Sequence, residues 1–310
     1  MMKRMAHGFC LTLLVAVAAP GAYATPRVLI IGDSWAAGVW ATRALDEVFE
    51  EYGLDDVDTV GDVTAVGGST AEQWATADWR GLITQQLAVY PTIDTIHLII
   101  GGNDVLSRIK DTDVFSGIAQ YLREGWWNSI KDDVQTVVNH SLLHPQIKHV
   151  VIADYDYLNV NTINVYFTLL GQDYSFGGMS QLEVNTAFLE VGIKKFEVAA
   201  NTAGCEYVQN WGLMQHHFSW PTTEPRPGAC PTYQPYPGGD PNWPMPDAAF
   251  DTIWIGSFPF PGDGVHPNEN AHKVMLHNAV EQFYLGWYGS GEGEGEGEGE
   301  GESEGEGEGE

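Results

Sequence analysis

Apolar residues follow two alternating patterns along the chain. The first is the short strand-like run: residues 27–31 and 95–100, apolar and each followed by Gly, together with 58–66, 149–153 and 206–209. Runs of this length, several of them ending at Gly, fit strands buried on both faces. The second is the longer stretch with helical spacing, at residues 37–52, 71–90, 114–140, 180–203 and 268–288. Pro267 stands where the first turn of the last stretch would begin, a position proline tolerates.

Strands that alternate with helices predict an α/β domain with a parallel sheet covered on both faces. In the flavodoxin-like strand order, a ligand sits beyond the carboxyl ends of the first and third strands, where the order reverses. The pattern fails between residues 211 and 262, which hold 11 of the 16 prolines and ten aromatic residues. So long a stretch without periodicity reads as an insertion packed against the site, with Trp220, Tyr233, Tyr236 and Trp243 facing substrate or stapling the loop.

Both ends fall outside this domain. Lys3 and Arg4 precede an apolar run too short to cross a bilayer, and Ala22-Tyr23-Ala24 supplies a small-x-small cleavage pattern. Residues 1–24 therefore read as a signal peptide, and the protein as secreted or periplasmic without stable membrane insertion. Residues 291–310 alternate Gly and Glu, interrupted by Ser303. Such a tail has nothing to bury and ten like charges to separate, so it reads as a solvated spacer, one that could link to a further module.

The remaining 25–290 suits one sizeable domain. Removing Lys3, Arg4 and the ten tail glutamates leaves 12 basic and 32 acidic residues, a net charge of −20. That surface argues against nucleic acid as a partner. Two cysteines survive processing, Cys205 and Cys230, and an even count in an oxidising compartment reads as one disulfide.

Three motifs, with a supporting glycine turn, carry candidate chemistry. Gly32-Asp33-Ser34-Trp35 follows the first strand, where a serine meets the free N–H groups of a helix start. Gly101-Gly102-Asn103-Asp104 follows the third strand and could present an amide donor; Gly67-Gly68-Ser69-Thr70 closes the second. Asp263-Gly264-Val265-His266 precedes the last helix, with a carboxylate spaced to hold one imidazole nitrogen and free the other. Each has a bland reading as a turn, a cap or a surface histidine. Their joint occurrence in this order has a chance frequency of about one in ten thousand.

Taken together, these motifs resemble the GDSL/SGNH hydrolases over most of residues 27–288. The resemblance implies a three-layer α/β/α fold with a five-stranded parallel sheet and a serine hydrolase needing no metal or organic cofactor. It implies Ser34 as nucleophile, His266 as base and Asp263 as its orienting carboxylate. The oxyanion donors would be Ser34 N–H, Gly68 N–H and the Asn103 amide, with Gly67 an alternative to Gly68. Trp35 departs from the leucine in the family's name. The expected activity is cleavage of a small-molecule or polysaccharide carboxylic ester. Its rivals are a carbohydrate deacetylase and a catalytically idle carbohydrate- or lipid-binding module.

Overall fold

The computed structural model describes residues 24–219, 239–255 and 257–289. Five strands form one parallel sheet: β1 (Thr25–Gly32), β2 (Val57–Val60), β3 (Thr95–Ile99), β4 (His149–Ala153) and β5 (Cys205–Val208). Their order is β2-β1-β3-β4-β5, the flavodoxin-like arrangement with its reversal between β1 and β3. Val28 to Ile31, Leu98 and Val150 to Ile152 are fully buried, so both faces of the sheet are dry. That burial explains why these strands lack polar alternation.

Helices cover both faces. α1 (Ser34–Ala41) and α2 (Ala44–Glu51) lie with the C-terminal helices on one side. α3 (Ala71–Trp74), α4 (Ala77–Val89), α5 (Gly102–Ile109), α6 (Gly117–Leu142), α7 (Val160–Leu169) and α8 (Gln181–Ala200) fill the other connections, with α6 and α8 packed together. After β5 come the short α9 (Leu213–His217), the antiparallel hairpin of β6 (Thr252–Ile255) and β7 (Phe258–Pro261), then α10 (Glu269–Ala279) and α11 (Leu285–Tyr288). This is the three-layer α/β/α fold that the resemblance implies.

Several boundaries differ from the sequence reading for local reasons. The expected 37–52 helix is two helices, broken where Arg43 takes a left-handed φ of 55°. The second strand stops at Val60; beyond it, only an isolated bridge joins Ala65 to Gly32. Pro267 lies outside the last helix, which Asn268 caps by accepting from Ala271 N–H at 2.9 Å. A π turn at Val280–Tyr284 interrupts that helix before α11. The 211–262 stretch is partly regular, with α9 and the hairpin inside it. Trp220, Tyr233, Tyr236 and Cys230 lie outside the described residues, as do most of the leader and the Gly–Glu tail. Cys205 is buried on β5.

The core contains a charged pair. Lys195 of α8 and Asp154, just after β4, are 1% and 0% exposed and in direct contact. Tyr207 O–H and Trp211 Nε1–H also donate to the Asp154 carboxylate, the latter at 3.1 Å, so the anion is satisfied by three side chains. Lys195 also lies over the Tyr155 ring, 4.5 Å from its centroid. Removing one member of such a pair strands the other charge in a dry interior. Lys195→Met should therefore lower unfolding free energy by about 3–5 kcal/mol, measured by urea denaturation. A loss under about 1 kcal/mol would show that water relieves Asp154.

Candidate active site

The site assembles at the carboxyl ends of β1 and β3, where the strand order reverses. β1 ends at Gly32, whose φ of 148° and close approach to β3 leave no room for a side chain: a Cβ there would lie 1.8 Å from the Ile99 carbonyl oxygen. The chain then turns directly into α1. Asp33 caps that helix by accepting from Trp35 N–H at 3.0 Å, and Ser34 is its first residue. Ser34 thus sits at the positive end of a helix, among N–H groups that helical bonding leaves unused.

The structure brings Ser34, His266 and Asp263 together. His266 Nε2 lies 2.7 Å from Ser34 Oγ, and His266 Nδ1 lies 2.5 Å from Asp263 Oδ2. The other Asp263 oxygen accepts from the backbone N–H groups of Val265 and His266 at 2.8 and 2.9 Å. Asp263 is thereby locked by its own loop, and the imidazole is aimed by Asp263. Burial would lower the His266 pKa, but the hydrogen bond and charge of Asp263, helped by Asp33, outweigh it and hold the imidazole above its usual 6.5. Burial likewise opposes ionisation of Asp263, yet bonding to His266 keeps that carboxyl below its ordinary range.

Asn103 lies in the first turn of α5, and its Nδ2 donates to the Ser69 carbonyl at 3.0 Å, joining the loops after β2 and β3. Its amide has a second N–H to offer. Gly68 takes φ +79°, a left-handed conformation that favours glycine; Gly67 does not. The acid of the same motif, Asp104, accepts from Ala71 N–H at 2.8 Å and Glu72 N–H at 3.3 Å, so it caps α3 rather than its own helix. Trp35 is buried, edge-on to Tyr155 with ring centroids 5.0 Å apart, and walls the site below Ser34.

Sequence reasoning missed Tyr155. Its hydroxyl donates to Asp33 Oδ2 at 2.5 Å and accepts from Gly102 N–H at 2.8 Å. One buried phenol therefore ties the Ser34 turn to the Asn103 loop. Burial pushes Asp33 up to about 6, against the lowering effect of Tyr155, Trp35 N–H and Lys195. Tyr155 carries no local signal, because its role depends on three strand ends meeting. Among the described residues, no cluster of three His, Cys, Asp or Glu side chains is arranged to hold a metal ion, and no helix is long and apolar enough to cross a membrane.

No protein-family model and no curated protein matches the chain. Among solved structures it is similar to an α/β hydrolase from the metagenome of Lake Arreo, Spain, at 15% identity over 84% of this chain and 97% of that one, with a TM-score of 0.46. It is also similar to an acetylxylan esterase from Geobacillus stearothermophilus, at 13% identity over 84% and 95%, TM-score 0.42. A family 3 carbohydrate esterase from Clostridium thermocellum shares 17% identity over 83% and 94%, TM-score 0.40. Each is a likeness at low identity, and the chemistry rests on the residues around Ser34.

The geometry sets the expected pH dependence. A base at His266 must be neutral to take a proton, so activity should fall with acid through a midpoint above 6.5. Asp263→Asn should move that midpoint down and cut kcat by about 10⁴, because the imidazole loses both its orienting acceptor and its charge partner. The pH dependence of kcat/KM checks both, and a wild-type midpoint at or below 6.5 would contradict the geometry. Asn103→Ala should lower kcat by about 10²–10³, about 2.7–4 kcal/mol, with little change in KM. A raised KM at constant kcat would make Asn103 a substrate-binding residue instead.

Proposed function

We propose that the chain is a serine hydrolase that cleaves carboxylic esters through an acyl-enzyme on Ser34. The observation that carries this reading is the continuous line from Asp263 through His266 to Ser34 Oγ, with contacts of 2.5 and 2.7 Å. A satisfied surface histidine would need neither a locked carboxylate behind it nor a hydroxyl at a helix N-terminus in front.

The steps follow from these positions. Ser34 Oγ bonds to the ester carbonyl carbon as its proton passes to His266 Nε2. The negative oxygen is met by Ser34 N–H, Gly68 N–H and the Asn103 amide. The bond to the alcohol oxygen then breaks, and His266 gives that oxygen the proton. Water gives a proton to His266 as it attacks the acyl carbon, the bond from that carbon to Ser34 Oγ breaks, and His266 returns the proton to Oγ as the acid leaves. Asp263 stays ionised throughout and stabilises the imidazolium.

A second reading within the same chemistry takes an acetylated polysaccharide as substrate. It rests on Trp243 and Trp254, 46% and 65% exposed in the stretch that leads into Asp263, whose flat faces could stack on sugar rings. Acetate release from acetylated xylan, measured beside p-nitrophenyl ester hydrolysis, discriminates between the two. The leader at 1–24 supports export of this activity from the cell.

Ser34→Ala should fold normally, judged by circular dichroism and thermal melting, yet lose ester hydrolysis by several orders of magnitude. Retention of more than about a tenth of the wild-type rate would sink Ser34 as the nucleophile.

A further inference from the structure

A cavity opens beside Ser34 between the Asn103 loop and the loop carrying His266. Its surface is mostly apolar, from Trp35, Leu106, Leu158, Phe188, Val265 and the ring of Tyr155, with Asp33, Ser34, Gly102 and Asn103 completing the lining. Its volume is about 10 Å³, the room of a single water molecule. The walls belong to the packed core. Leu158 and Phe188 are 2% and 3% exposed, Leu158 N–H donates to Asn185 Oδ1 at 3.2 Å, and the Phe188 ring stands edge-on to Tyr155. Close-packed walls of this kind yield little to an added methylene.

The two halves of an ester leave this site in different directions. The departing alcohol must receive a proton from His266, whose side chain is 43% exposed, so it faces the open side. The acyl group stays bonded to Ser34 and must rest against whatever adjoins that oxygen, which is the apolar cavity. Resting on the ester-hydrolase reading above, we propose that this cavity is the acyl pocket, and that it takes an acetyl group and rejects longer acyl chains. One methyl group matches the available space. A butyryl chain adds two methylenes that would have to displace Leu158 or Phe188 from the core.

The test uses the full chain with p-nitrophenyl acetate, butyrate and octanoate, with active sites counted by a fluorophosphonate. The kcat/KM for acetate should exceed that for butyrate by about tenfold or more, and that for octanoate by about a hundredfold, within the range one methylene commands in a tight pocket. Phe188→Ala should raise the butyrate-to-acetate ratio by about tenfold. Because deleting that ring risks the fold, Leu106→Ala, at the 9% exposed rim, provides a second and milder enlargement that should move the ratio the same way. Wild-type cleavage of octanoate as fast as acetate would overturn the acyl pocket while leaving Ser34 an esterase nucleophile. An unchanged ratio in folded variants would also overturn it. Failure to cleave any ester, with Ser34 unlabelled by the fluorophosphonate, would instead remove the ester-hydrolase reading, and the acyl pocket with it.

Discussion

The arrangement of the whole site depends on one buried hydroxyl. Tyr155 O–H donates to Asp33 and accepts from Gly102 N–H, bridging the ends of β1 and β3 at the residue after β4 and Asp154. A serine on one loop and an amide on another act on the same carbonyl only if the loops keep their spacing to a fraction of an ångström. Hydrogen bonds in a dry interior hold such spacing better than loop packing can, because the alternative is an unpaired polar group with no water to satisfy it. The glycine of the Asn103 motif follows from this bridge. A Cβ on Gly102 would lie 2.8 Å from the Tyr155 ring, so that glycine makes room for the phenol rather than for substrate.

Below the bridge, charge is layered by depth. Lys195 and Asp154 form the deepest pair, and the ammonium also faces the Tyr155 ring and the Ile100 carbonyl. Asp33 comes next, pushed up to about 6 by burial while Lys195 and Tyr155 pull it down. His266 and Asp263 lie at the surface end, where Asp33 adds to the field that favours the imidazolium. A cation buried behind the Ser34 turn therefore offsets the cost of holding a carboxyl next to Ser34. That carboxyl in turn caps α1 and favours the His266 imidazolium.

How much of this can be read from the chain depends on the range of each interaction. The strands are legible because residues 28–31 and 150–153 are apolar on both faces, a property of consecutive residues. His266 and Asp263 are legible because their pairing closes within four residues. The helix break at Arg43, a residue with a left-handed φ of 55°, and the end of the second strand at Val60 are not, since no glycine or proline marks the first and Val63-Thr64-Ala65-Val66 continues the strand-like pattern past the second. α7 escapes the sequence reading because its apolar positions do not form one stripe: Val160 and Ile163 are buried while Val165 and Leu169 are exposed. Tyr155, Lys195 and Phe188 are invisible for a deeper reason. Each acts on partners dozens of residues away, and nothing nearby in sequence marks it.

The acyl cavity shows how specificity and stability become one problem in such a fold. The walls that would exclude a longer chain are the same side chains that close the core around the Tyr155 bridge. Enlarging the pocket means cutting into Phe188 or Leu158, and either cut also loosens the ring packing that keeps Tyr155 in place. A site framed by mobile loops could change acyl preference by moving a surface residue. Here the acyl side is framed by α1, α5, α8 and the buried segment after β4, which leaves the open His266 side and the stretch that runs into Asp263 as the places where the alcohol half can be selected without disturbing the core.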